Sequence, residues 1–79
     1  MEINEFILKL RNKLIENEFY AVEILNYYNE YDKHFLIHII TKRNNRKYVY
    51  GYSISEKCLD NNSIDEIVNQ LLRGDKNEK

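Results

Sequence analysis

The spacing of apolar residues changes period along this chain, and each change predicts an element. From residue 3 to residue 18, Ile3, Phe6, Ile7, Leu10 and Leu14 recur at helical spacing, which places them on one face of an amphipathic helix. Leu8 and Ile15 widen that face, while Lys9, Arg11, Lys13 and Glu16 fill the other. Asn4 reads as the N-cap, with Ile3 and Leu8 as a hydrophobic staple across it.

From Tyr20 the period drops to two. Val22 and Ile24 alternate with Glu23, Leu25 and Tyr27, which predicts a strand over 20–30. A polar turn around Asn29 to Lys33 leads into His34-Phe35-Leu36-Ile37-His38-Ile39-Ile40-Thr41. That run is the most apolar and most β-prone in the chain, and it predicts a central strand over 34–42. Asn44-Asn45 tolerates the positive φ angles of a tight hairpin. A third strand follows over 47–56, with Tyr48, Tyr50, Tyr52 and Ile54 on one face. Ser63-Ile64-Asp65-Glu66 has the form of a capping box, and Ile64, Ile67, Val68, Leu71 and Leu72 supply the apolar stripe of a helix over 63–73. Gly74 is its stop, and the tail 75–79 is expected to fray.

These elements predict an α+β fold: a three-stranded antiparallel meander with N- and C-terminal helices packed on one face (αβββα). The helices are expected against Val22, Ile24, Phe35, Ile37, Ile39, Tyr50, Tyr52 and Ile54. The opposite face then shows Glu23, Leu25, Tyr27, Leu36, His38, Ile40, Val49, Gly51 and Ser53. That is an unusually apolar set to leave in water, and it suits a protein partner or a second copy of the chain.

Length and composition bound the rest. Seventy-nine residues, 43% hydrophobic and 32% charged, predict one small globular domain with a thin core. No apolar run approaches the length of a membrane span. Glu2 and Glu5 stand where a secretory leader would carry positive charge, and Cys58 is the only cysteine. Both features predict a cytoplasmic protein without a disulfide.

Candidate chemistry adds little. His34 and His38 are four apart, a metal-chelating spacing on a helix. On a strand it separates them by roughly 13 Å at about 3.3 Å per residue, so no metal site is expected. No cofactor-binding loop is visible, since Gly51 and Gly74 stand alone. No nucleophile, base and orienting group come together in the sequence, so a non-enzyme is expected. The strongest local signal is the hairpin Lys42, Arg43, Arg46, Lys47: four positive charges on a chain whose formal net charge is -1. Such a tip suits phosphates or an acidic protein surface. The seven tyrosines fall on strands or strand ends, and Tyr27, Tyr28 and Tyr31 near the first hairpin read as interface residues. The candidate partner-binding set is therefore Tyr27, Tyr28, Tyr31, Leu36, His38, Ile40, Lys42, Arg43, Arg46 and Lys47.

The αβββα order resembles the double-stranded-RNA-binding domain, but that domain opens its second helix with lysines where this chain has Ser63-Ile64-Asp65-Glu66. Ile3-Asn4-Glu5-Phe6-Ile7, Asn12-Lys13, Tyr20-x-Val22, Tyr48-Val49 and the Ile67-to-Gly74 segment are similar to small phage-encoded anti-CRISPR proteins of the type II-A, Cas9-inhibiting kind. That resemblance implies a non-enzymatic inhibitor that binds and blocks a CRISPR effector in the host cytoplasm. The chain departs from that family at the second hairpin. There the family presents acidic residues that imitate DNA, and this chain presents Lys42-Arg43-Asn44-Asn45-Arg46-Lys47. Two alternatives stand beside it: a nucleic-acid-binding module using the basic hairpin 42–47, and a self-associating module.

Overall fold

A computed structural model describes residues 1–74; the expected fraying of the tail 75–79 lies outside the described residues. The order is α1 (Ile3–Glu16), β1 (Tyr20–Asn29), β2 (His34–Arg43), β3 (Arg46–Ser55), a short 3-10 turn (Glu56–Cys58) and α2 (Asn61–Leu72). The three strands form one antiparallel sheet in the order β1-β2-β3. This is the α+β, αβββα layout that the periodicity predicts.

Both helices bury their stripes on the same side of the sheet. Phe6, Leu10 and Leu14 of α1 and Ile64, Ile67, Val68 and Leu71 of α2 form one core with Ile24, Ile37, Ile39, Tyr48, Tyr50 and Ile54. Val22, Phe35 and Tyr52 pack on its margin. Phe19 and Leu59, in the connections that follow α1 and precede α2, are also buried in the core. The centre of β2 is completely enclosed, with Ile37, Ile39 and Thr41 all at 0% exposure.

Helix ends depart from the sequence reading. The N-cap of α1 is Glu2, whose Oε1 accepts the Asn4 amide at 3.1 Å. Asn4 is already inside the helix, so the staple pairing fails and Leu8 is exposed. Ile15 is exposed as well. Helix α1 stops at Glu16 rather than residue 18 because Glu18 takes a left-handed φ of 71°. The Glu18 amide then donates to the Ile15 carbonyl and the Phe19 amide to the Leu14 carbonyl, each at 3.0 Å. That pair of bonds is a Schellman closure, and it drives Phe19 into the core beside Leu14.

Helix α2 begins at Asn61, with Asp60 as its N-cap accepting the Ser63 amide at 2.9 Å. The expected capping box does not form. The Ser63 hydroxyl donates to the Cys58 carbonyl, and Glu66 accepts from the Tyr52 hydroxyl instead. Gly74 ends α2 as expected, with φ 84° and its amide on the Leu71 carbonyl.

Asn44 and Asn45 form the tight turn, with φ 56° and 61°, the double positive-φ geometry of a two-residue hairpin. A bulge between Tyr20 and Glu23, with Ala21 at φ 52°, shifts the β1–β2 register. Its carbonyls are satisfied from outside the ladder. The Arg11 guanidinium donates to Val22 and the Thr41 hydroxyl to Tyr20, at 2.8 and 2.9 Å.

Candidate binding face

Strand alternation sends every second side chain away from the helices. Register then sorts those side chains into rows across the uncovered face. Glu23, Ile40 and Val49 form one row; Leu25, His38 and Gly51 form the next; Tyr27, Leu36 and Ser53 form a third. Lys42 and Lys47 close one end, and Asn29, His34 and Ser55 the other. Leu25, Tyr27 and Leu36 are 54%, 66% and 42% exposed. Ile40 and Val49 are half-buried within the ladder. Gly51 leaves a notch beside His38, since a Cβ there would meet nothing within 4 Å. A glycine inside a strand weakens it and often marks a site of close approach.

The candidate set divides between the two sides of the sheet. Tyr27, Leu36, His38, Ile40, Lys42 and Lys47 come together on the open face. Tyr28 lies on the helix side, tilted against Phe35 with ring centroids 4.8 Å apart. Its hydroxyl donates to Glu56 Oε1 at 2.7 Å, and that bond to a carboxylate raises its pKa above the usual tyrosine value. Tyr31 stands in the β1–β2 turn at 95% exposure, at the end of the face away from the lysines.

The basic tip is split as well. Lys42 pairs with Lys47 on the open face, while Arg43 pairs with Arg46 on the alternate positions of the same ladder. Arg43 is a structural residue: its Nε donates to the Asn17 carbonyl at 3.0 Å and its guanidinium lies 5.6 Å from the Phe19 ring centroid. It clamps the α1–β1 turn to the hairpin. Lys42 and Lys47, directly opposed like charges, cost stability. The two salt bridges among the described residues, Lys9–Glu5 and Lys13–Asp65, lie on the helices and leave both lysines uncompensated.

The tyrosines of β3 serve the core. Tyr50 and Tyr52 stack on each other, and their hydroxyls donate to Gln70 and Glu66 of α2. Burial, and then the bond to Glu66, push Tyr52 up to about 12.

One feature of the face is invisible in the sequence pattern. Asn29, Asp32, His34, Leu36 and Ser53 line a shallow hollow of about 350 Å³ at the end opposite the lysines. Asn29 shapes it by accepting the amides of Tyr31 and Asp32 on its Oδ1, at 2.9 and 3.3 Å, and the His34 ring is held by the Asp32 carbonyl at 2.7 Å. The polar residues at the strand end signal a turn, but only the folded turn shows that Asp32 borders the open face. Asp32 has no cationic partner among the described residues.

No protein-family model matches this chain, and neither curated proteins nor solved structures give a significant match. No helix among the described residues is long and apolar enough to cross a membrane. The described residues bring no three His, Cys, Asp or Glu side chains into a metal-binding group.

Proposed function

We propose that this chain is a small non-enzymatic binding protein that engages a protein partner through the open face of its sheet. The observation that carries the reading is the exposed apolar group Leu25, Tyr27 and Leu36, set on a ladder whose reverse side anchors both helices. Contiguous exposed apolar surface rimmed by polar residues is a mark of a protein interaction site. Tyr27 offers a large, rigid contact with a polar tip, the kind of residue that dominates binding energy. Lys42 and Lys47 add a positive end that steers the face toward acidic surface.

The proposed target is a host defence complex, a CRISPR effector first, with this chain as an inhibitor of phage or mobile-element origin. Support comes from the resemblance of its opening, third-strand and last-helix residues to type II-A inhibitors. The basic second hairpin means that blocking works by occupying a protein surface, not by imitating DNA.

The test is equilibrium binding to a purified type II-A effector with its guide, using wild type, Leu36→Lys and Tyr27→Ala. Both positions are exposed, so the variants keep the fold. Each is expected to weaken binding at least tenfold, about 1.4 kcal/mol. Absence of binding removes the effector as target, and binding indifferent to both changes removes the open face as its site. Salt-steep binding to RNA or DNA that is lost on reversal of Lys42 and Lys47 would instead assign a nucleic-acid module.

A further inference from the structure

We infer that, in the absence of a target, the open face is covered by the same face of a second copy, packed with its strands reversed so that Lys42 of each copy enters the Asp32 hollow of the other. The inference rests on reading the open face as the binding surface and names what occupies it at rest.

The geometry follows from register. His38 stands at the middle of the face, four residues from Lys42 in one direction and four from His34 in the other. A two-fold axis beside His38, lying between the sheets and across the strands, reverses strand direction. It brings the lysine row of one copy over the Asn29–His34 row of its partner, where the hollow opens. The row of Ile40 then meets the row of Leu36 of the other copy, so Ile40 covers Leu36, while Glu23 at the β1 edge comes over Tyr27 and Val49 over Ser53. The notch at Gly51 lies beside the axis and gives the two His38 side chains room. Sheets packed face to face in this way are an ordinary aligned sandwich, and an isologous pairing makes every contact twice.

Charge decides the direction. Lys42 and Lys47 lack a carboxylate partner, and Asp32 lacks a cation, within the described residues of one chain. Strand reversal brings Lys42 of each copy to Asp32 of the other, while Lys47 falls over Ser55 at the same end. The parallel stacking would instead put four lysines together and leave Asp32 against Asp32.

Area sets the strength. Three ten-residue strands at about 4.8 Å spacing and 3.4 Å rise offer a footprint of roughly 480 Å² per copy. A total near 1,000 Å² sits at the lower limit of specific interfaces. The dimer is therefore expected to be weak, with a dissociation constant in the micromolar range or above, and easily displaced by a tighter partner.

The experiment is sedimentation equilibrium of the whole chain from micromolar to millimolar concentration. It compares wild type with Asp32→Lys, Lys42→Asp and the double exchange, each checked for unchanged circular dichroism. Wild type is expected to pass from monomer to dimer, each single change to weaken association about fivefold to tenfold, and the double exchange to recover to within about threefold of wild type. A wild type that stays monomeric at millimolar concentration overturns the inference, as does a double exchange no better than the singles. If wild type is monomeric yet Leu36→Lys still abolishes effector binding, the second copy falls and the binding face stands. If dimerisation follows the charge exchange but no effector binds, the reverse holds.

Discussion

Adjacent residues of β2 should behave as if they belonged to different proteins. Ile37 is at 0% exposure in the core, whereas Leu36 is 42% exposed on the far side. Truncating Ile37 to Ala removes buried methylene and methyl groups and leaves a cavity that a close-packed core closes only in part. The expected cost is about 3 kcal/mol, within the range for such changes. A chain of this size has roughly 4–12 kcal/mol in total, so Ile37→Ala brings it close to unfolding. Leu36→Ala opens no cavity. Full burial of a leucine is worth about 1.5–3 kcal/mol, and Leu36 realises little more than half of that, so the loss is about 1 kcal/mol. Urea denaturation followed by far-ultraviolet circular dichroism, at a protein concentration too low for association, measures both. With a slope of about 1 kcal/mol per molar urea for a small domain, Ile37→Ala moves the midpoint down by roughly 3 M and Leu36→Ala by about 1 M. Equal shifts, or a larger one at Leu36, would refute this assignment of the two faces of the sheet.

Further predictions follow the helix ends, the split hairpin and the tyrosines. Glu18 holds φ 71° with an exposed side chain, so Glu18→Gly relieves strain and should raise thermal stability by about 0.5–1 kcal/mol; a loss would show that its side chain makes a contact absent from this structure. Arg43→Ala removes the bond to Asn17 and the stacking on Phe19 and should cost about 1–2 kcal/mol. Arg46→Ala should cost under about 0.5, and a chemical melt that ranks them the other way contradicts the split. Tyr52, raised to about 12 from an ordinary 10.0, favours the fold while its phenol is neutral. That contribution is complete below pH 10 and is lost as pH rises toward 12. Phenolate absorbance should show a tyrosine titrating near 12 that is absent in Tyr52→Phe and titrates earlier, though still above the ordinary value, in Glu66→Gln, while the raised Tyr28 is unaffected by either change.

The sheet was legible because its information is periodic. Phe35, Ile37 and Ile39 against Leu36, His38 and Ile40 assign two faces from alternation alone, and Asn44-Asn45 marks the turn by its tolerance of positive φ. Features set by a single dihedral or one hydrogen bond were not legible. Asn4 is a better cap by type than Glu2, yet the helix begins two residues earlier than a cap at Asn4 requires. Ser63 and Glu66 fit a capping box, but Asp60 holds the Ser63 amide and Tyr52 reaches Glu66 first. The site was legible in the same proportion. Alternation placed Tyr27, Leu36, His38 and Ile40 on one face, as the register has them. Tyr28 and Arg43 have the opposite parity, that of Ile24 and Ile39, and their contacts lie on the helix side although they sit beside that group in sequence. Asp32 was missed because a turn residue has no parity at all; its position comes from the Asn29 side chain folding the turn over the strand end.

We propose the uncovered sheet face as the place where this chain meets its partners. Amide chemical shifts of the isotopically labelled protein, recorded on dilution from millimolar to micromolar concentration and again on addition of a purified effector, test it most directly. Binding through this face predicts shifts confined to Leu25, Tyr27, Leu36, His38, Ile40 and Lys42 and to the hollow around Asn29 and Asp32, with the outer surface of α1 at Lys9 and of α2 at Asp65 unmoved. Shifts concentrated on the helices, or none under either condition, would contradict it.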